Sequence, residues 1–132
     1  MSVQSTSRLR VRYAETDQMG LAYHGNYFAW FEIGRTDLLR NMGLTYKELE
    51  AQGLRLPVIE AKARFLRPVR YDDVLDVHTR LATCGGASLS FDYTIAREGA
   101  EEPLATGSTS HAAIDGSGRP RRLPAEVRRL LA

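Results

Sequence analysis

A single segment of helical period, followed by an unbroken succession of strand patterns, is the feature that most restricts what this chain can fold into. Between Asn26 and Met42, the residues Tyr27, Phe31, Gly34, Leu38 and Met42 fall on one stripe, and Phe28, Trp30 and Leu39 widen it. A helix apolar nearly all round in its first half needs deep cover. From Leu56 to Asp115 the period drops to two. Ile59, Ala61, Ala63 and Phe65 alternate with Glu60, Lys62, Arg64 and Leu66; Leu75, Val77, Thr79 and Leu81 share the next face, and Leu89, Phe91, Tyr93 and Ile95 the one after. Pro68 closes the first of these runs, and Gly85-Gly86 and Glu98 to Pro103 supply turns. The last strand sets the small residues Ala105, Gly107, Thr109 and Ala113 on one face, which lets a sheet close tightly on a buried element.

Arg8 to Tyr13 also alternates and reads as the first strand. The order is therefore strand, helix, four antiparallel strands. That predicts an α+β architecture, a five-stranded antiparallel sheet wrapped around a long central helix. Thr45 followed by Glu48 is a capping-box start for a short second helix ending near Gly53, and Pro124 to Leu131 suits a terminal helix.

The 132 residues make one domain, spanning 1–132. With 43% hydrophobic and 26% charged residues in mixed order, the composition is that of a soluble globular chain. No apolar run approaches a membrane span, and Met1 to Arg8 lacks the apolar core of a secretory leader, so the expected compartment is the cytoplasm. The lone Cys84 excludes a disulfide framework and a cysteine-rich metal site. A net charge of +2, unclustered, argues against nucleic acid. Five strands around one helix leave an edge and an outer face needing cover, so a homodimer is the minimum expected assembly.

The chemistry concentrates in Tyr13-Ala-Glu-Thr-Asp17-Gln-Met-Gly20-Leu-Ala-Tyr23-His24-Gly25-Asn26-Tyr27-Phe28. A carboxylate here precedes a helix start whose free N–H groups can hold a developing oxyanion, the makings of a hydrolase site. Taken alone, Asp17 reads equally as a turn or capping residue, and His24 as a hydrogen-bonding residue at a helix start. Tyr23, Tyr27, Phe28 and Trp30 are core residues first. Glu32 pairs most simply with Arg35, three residues on. His78 and His111 lie in strands without metal-type neighbours and read as structural or solvent-facing, which leaves no candidate metal site.

That loop, with Phe31-Glu32 after it and Arg67-Pro68-Val69 running into Tyr71-Asp72-Asp73, resembles the hotdog-fold acyl-CoA thioesterases over nearly the whole chain. The nearest branch is that of 4-hydroxybenzoyl-CoA thioesterase and the bacterial short-chain acyl-CoA thioesterases associated with the Tol-Pal system. The resemblance implies a hotdog fold and hydrolysis of a short-chain or aromatic acyl-CoA to free acid and CoA. Asp17 would be nucleophile or general base, the backbone N–H of His24 would polarise the carbonyl, and the His24 side chain would orient thioester or water. Tyr23, Gly25, Asn26, Tyr27 and Arg64 would be substrate-binding, in a homodimer or homotetramer, with no cofactor beyond the coenzyme A of the substrate. One departure is the turn Cys84-Gly85-Gly86, where the 4-hydroxybenzoyl branch carries basic residues that meet the coenzyme. It keeps an acyl carrier protein in play as thioester donor, docking on Arg119, Arg121, Arg122, Arg128 and Arg129, and a non-catalytic acyl-CoA-binding module is the third reading.

Overall fold

Every inward position of the central strands carries an apolar, small or hydrogen-bonded side chain, and that lays one sheet against one helix. The computed structural model describes residues 3–131, so Met1, Ser2 and Ala132, and with them the first residues of the leader reading, lie outside the described residues. The strands are β1 (Gln4–Arg10), β2 (Val58–Phe65), β3 (Val74–Cys84), β4 (Ser88–Arg97) and β5 (Pro103–Ala112). The helices are α1 (Asn26–Asn41), α2 (Tyr46–Ala51) and α3 (Ala125–Leu131). The sheet is antiparallel throughout, in the order β1-β3-β4-β5-β2.

Leu75, Val77, Thr79 and Leu81 of β3, then Leu89, Phe91, Tyr93 and Ile95 of β4, are all buried, as their alternation predicts. The Phe31 ring lies flat on Tyr93, with centroids 4.3 Å apart and planes 9° apart. Gly107 pairs with Tyr93 across the ladder and makes room for that stack: a Cβ there would lie 2.5 Å from two Phe31 ring atoms and 2.6 Å from the Lys62 carbonyl oxygen. On the helix side, a Cβ at Gly34 would overlap the Thr79 hydroxyl. Two missing side chains, one on each partner, thus set how deeply α1 sinks into the sheet.

Three expectations change. The first strand starts earlier and ends at Arg10, because Val11 N–H bonds the Asp73 carbonyl at 2.9 Å and the chain then winds into a 3-10 turn, Tyr13–Glu15. β2 alternates in sequence but gains no covered face. It is an edge strand bonded only to β5, and it is exposed almost throughout, Ile59 at 64%. Helix α1, 16 residues and about 24 Å long, is likewise not covered all round, since Phe28 and Ile33 stand exposed on its outer side. The short helix starts as predicted, with Glu48 N–H donating to Thr45 Oγ1 at 3.1 Å.

The interior holds an unadvertised polar cluster. Arg35 is buried beneath α1, beside the Tyr46 and Tyr93 hydroxyls, with Glu32 Oε2 3.9 Å from its guanidinium and no partner for its Nε. The Tyr93 hydroxyl meets Thr109 Oγ1 at 2.5 Å, Thr109 Oγ1 meets His111 Nε2 at 2.8 Å, and His111 Nδ1 meets the Leu56 carbonyl at 3.0 Å. Burial pushes the His111 imidazole below its ordinary pKa, so His111 is structural and neutral. His78 is exposed and bonds Thr6 Oγ1 at 2.8 Å.

Candidate active site

The segment from Tyr13 to Gly25 is a hairpin folded against the start of α1. Thr16 pairs with Ala22, Asp17 N–H donates to the Leu21 carbonyl at 2.8 Å, and Tyr23 N–H reaches back to the Glu15 carbonyl at 2.8 Å. Gly20, at φ 78°, supplies the left-handed residue at the tip. The hairpin is fastened to the sheet side by Ala22 N–H on the Val69 carbonyl and by a Leu21–Arg70 pair.

Asp17 is half-buried at this tip and divides its carboxylate between two tasks. Oδ1 accepts the N–H groups of Met19 at 2.9 Å and Leu21 at 3.3 Å, an Asx turn that fixes the side chain. Among the described residues nothing bonds Oδ2. The turn reading of Asp17 and the chemical one are therefore compatible: one oxygen orients the group and the other stays available.

At the helix start the hydrogen bonds run from Asn26 N–H to the Tyr23 carbonyl at 3.0 Å and from Tyr27 N–H to the His24 carbonyl at 3.2 Å. The N–H groups of His24 and Gly25 have no acceptor among the described residues. No side chain caps the helix at Gly25, and no acidic residue lies in its first turn. Unspent donors at the positive end of a 16-residue helix make a site for negative charge. A Cβ at Gly25 would lie 2.7 Å from the Tyr23 ring, so any larger residue there would have to displace that ring.

A cavity of about 430 Å³ opens beside this turn, lined by Leu21, His24, Tyr27, Phe65, Pro68 and Val69. Its wall is aromatic: the Tyr27 and Phe65 rings meet edge to face at 4.8 Å, and Tyr23 lies tilted over His24 at 4.4 Å. Tyr27 is buried, and burial raises its hydroxyl above the ordinary phenol range, so it stays neutral. A larger hollow of about 490 Å³ lies on the outer face of the sheet, between Lys62, Arg64, Asp92 and Thr106, away from the loop and without oxyanion donors.

Of the residues the sequence singled out, Tyr23, His24, Gly25 and Tyr27 come together at the helix start, and Asp17 lies on the same hairpin, bonded to Leu21, which lines the cavity. Asn26 belongs to the same turn, but its side chain is committed, donating to the Glu15 carbonyl at 2.7 Å. Arg64 is not brought in. It pairs with Thr106 on the outer face of the sheet. Glu15 was not singled out, yet it braces the whole arrangement. Its buried carboxylate accepts Arg12 N–H at 2.8 Å and Trp30 Nε1–H at 2.9 Å, tying the loop to α1. Burial disfavours its charge, but those bonds and the Arg12 guanidinium outweigh it and hold the pKa below the usual glutamate value. The available signal was a buried indole needing an acceptor nearby in the chain.

No group of three His, Cys, Asp or Glu suited to a metal occurs among the described residues, and none of their helices is long and apolar enough to cross a membrane. A carboxylate with one free oxygen, on the hairpin that leads into unspent backbone donors beside an apolar cavity, is chemistry for acyl transfer to water.

Fold and site together define a hotdog-fold thioester hydrolase. A family model described as the thioesterase-like superfamily matches residues 11–131, and the chain belongs to that superfamily. Among curated relatives, YneP of Bacillus subtilis (strain 168) is 36% identical over 111 residues, 84% of this chain and 80% of YneP. Among solved structures, the protein TT1821 from Thermus thermophilus is 42% identical with a TM-score of 0.91, covering 96% of each chain. DHNA-CoA thioesterase from Staphylococcus aureus is 34% identical with a TM-score of 0.87, covering 91% of this chain and 80% of that one.

Proposed function

We propose that this chain hydrolyses a short-chain or aromatic acyl-CoA to the free acid and CoA, with Asp17 as the reacting carboxylate. The single observation that carries the reading is the division of labour in Asp17: Oδ1 held by two backbone N–H groups, Oδ2 free. The thioester carbonyl oxygen would lie on the N–H groups of His24 and Gly25, where loss of one donor typically costs about 10²–10³ in rate. The His24 imidazole would then orient thioester or water, and the Tyr27 and Phe65 rings would wall the acyl group or the thioester stem.

Two routes balance. In one, Oδ2 attacks the carbonyl carbon, CoA leaves as thiolate, and water hydrolyses the resulting anhydride to return the carboxylate. In the other, Oδ2 takes a proton from a water that attacks the carbonyl directly, the tetrahedral intermediate expels CoA as thiolate, and the proton passes from the carboxyl to the thiolate or to solvent. Neither calls for a metal or a cofactor, because a thiolate leaves readily and the donors at the helix start carry the developing charge. The relation to the Staphylococcus aureus DHNA-CoA thioesterase supports a CoA ester, and the aromatic cavity wall supports an acyl group that stacks.

The same reading includes a homodimer. β2 is a bare edge with apolar Val58, Ile59 and Phe65 exposed, and antiparallel pairing with its twin would continue the sheet across two copies. The carrier-protein reading gains nothing from one protomer. The surface around Arg119 to Arg129 joins the sheet where Leu123 N–H meets the Gly86 carbonyl, the end opposite the Asp17 hairpin.

The test is thiol release from short-chain, long-chain and aromatic acyl-CoAs by the wild type and by Asp17→Asn. Asparagine keeps an oxygen for the Met19 and Leu21 N–H groups, so the turn should survive while turnover drops at least about 10³-fold. Retention of wild-type turnover by a folded Asp17→Asn variant would remove Asp17 from the mechanism.

A further inference from the structure

Arg35 is buried in a way that the hydrolase site does not use, and it lines a cavity of its own. That cavity, about 310 Å³, lies between α1 and α2 and is lined by Glu32, Arg35, Thr36, Tyr46, Glu50 and Leu56. Its volume is at the lower end of small-molecule sites, which run from about 300 to 1,000 Å³. Helical spacing explains which side chains face it. Glu32, Arg35 and Thr36 stand three and four residues apart on α1, and Tyr46 and Glu50 four apart on α2. The Arg35 side chain is 9% exposed, whereas Glu32, its one ion-pair partner among the described residues, is 68% exposed and stands 3.9 Å away, beyond hydrogen-bond reach. The Arg35 Nε–H has no acceptor among the described residues. A guanidinium taken out of water is kept where acceptors or an anion answer it, and here the pairing inside the chain is incomplete.

The tyrosines beside Arg35 supply oxygens but no charge, and the protons of the inner chain can be assigned in order. A carbonyl only accepts, so His111 Nδ1–H donates to Leu56, and the neutral ring leaves Nε2 as an acceptor. Thr109 therefore donates to His111, and Tyr93 donates to Thr109. With its proton spent, the Tyr93 hydroxyl meets Arg35 only as an acceptor. The Tyr46 hydroxyl stands on the cavity wall and has no acceptor among the described residues, so it and the guanidinium present donors to one space. The rim has the opposite sign, because Glu32 and Glu50 are exposed and line the same cavity. A plain anion would pass two carboxylates on its way in, and a plain cation would meet a buried guanidinium. A small molecule carrying both charges matches floor and rim together.

We propose that the cavity between α1 and α2 binds a small amino acid as its zwitterion, with the carboxylate on Arg35 and Tyr46 and the ammonium on Glu32 and Glu50. The inference goes beyond the hydrolase reading and does not depend on it. Arginine suits the floor because its planar fork holds a carboxylate through two parallel N–H groups, which a lysine ammonium cannot do.

The experiment is titration calorimetry with thermal unfolding of the full chain at constant ionic strength. The ligands are the common α-amino acids, β-alanine and γ-aminobutyrate, with acetate, propionate, methylamine and ethylamine as probes of a single charge. The expected result is saturable binding of at least one amino acid, at least about tenfold tighter than the carboxylate or amine of matching length, with a raised Tm. Replacing both rim carboxylates, Glu32→Gln with Glu50→Gln, should weaken that binding at least about tenfold and leave the Tm of the free chain within about 2 °C. Arg35→Gln should abolish binding; should that variant fail to fold, the rim pair decides alone. Absence of binding by every amino acid overturns the proposal, and so does acetate binding as tightly as glycine, which would leave the rim without a role. Binding that survives the rim replacements unchanged places the ligand elsewhere and overturns the assignment. A change of sedimentation in Arg35→Gln, with no amino acid bound by the wild type, gives the cavity to a second copy of the chain and also overturns it.

Discussion

Replacing Glu15 by Gln should be far more damaging than so small a change suggests, because the carboxylate serves two donors with two different oxygens. Oε1 takes Arg12 N–H at 2.8 Å and Oε2 takes Trp30 Nε1–H at 2.9 Å, and Trp30 is fully buried. Glutamine has one oxygen, so its amide NH₂ must face one of the two donors. A hydrogen bond to a charged group is worth about 1.5–3 kcal/mol, and a buried donor left without an acceptor costs a similar amount. A loss of about 2 kcal/mol is the lower end of what this geometry implies. At about 2.1 cal/mol/K of unfolding entropy per residue, a chain of 132 residues loses about 7 °C in Tm for that amount.

The assay is thermal unfolding by circular dichroism at neutral pH, with Trp30→Phe and the double variant completing a cycle. Once the indole N–H is gone, the glutamine amide has no donor to oppose, so Glu15→Gln should cost at least about 1 kcal/mol less in the Trp30→Phe background. Because the Glu15 carbonyl also holds Tyr23 N–H and the Asn26 side chain, kcat should fall in Glu15→Gln along with stability. A Tm within about 2 °C of wild type, or additive effects in the cycle, would refute the brace.

Two further outcomes follow from the same kind of accounting. His111 is buried, and burial lowers its folded pKa, so the unfolded chain binds the proton more readily; stability should be level above about pH 6.5 and fall as pH drops below it, by up to about 1.4 kcal/mol per unit until the folded pKa is reached. Urea midpoints between pH 7.5 and 5 measure this, and a folded His111→Gln variant with the same slope would show the proton goes elsewhere. Ile59→Arg, on the bare β2 edge, should leave unfolding of the single chain within about 0.5 kcal/mol while shifting sedimentation from dimer to monomer; an intact dimer would move the interface off β2.

What could be read from the sequence follows which forces act within one chain. The central strands were legible because β3 and β4 have a neighbour on each side and a helix beneath, so period-two alternation and burial coincide at Val77, Phe91 and Tyr93. Gly107 was legible as part of a small-residue face, and its reason proves specific: the Phe31 ring occupies the volume a Cβ would take. β2 and the outer side of α1 misled for one shared reason. Apolar patterning records what is buried in the working molecule, and Ile59, Phe65, Phe28 and Ile33 have nothing within this chain to bury them. Arg35 was legible only in part. The pair with Glu32 that its spacing suggested is present at 3.9 Å, but the helix also turns the guanidinium inward, beside two tyrosine hydroxyls, and no local pattern reports that burial.

The candidate site shows the same division. Asp17, His24 and Gly25 stand close in sequence on one hairpin that runs into α1, so a short motif could carry them. Glu15 stands equally close and was still missed, because its role depends on Trp30, which α1 returns to the hairpin only after folding. The chain thus puts its candidate reactive groups in one contiguous segment and delegates their rigidity to contacts made at a distance. That arrangement predicts how variants will sort. Changes at Asp17 should act on turnover with the fold preserved, whereas changes at Glu15 or Trp30 should act on stability and turnover together. A hairpin whose activity tolerated loss of its brace would mean that substrate, rather than the protein, sets the geometry of the reacting carboxylate.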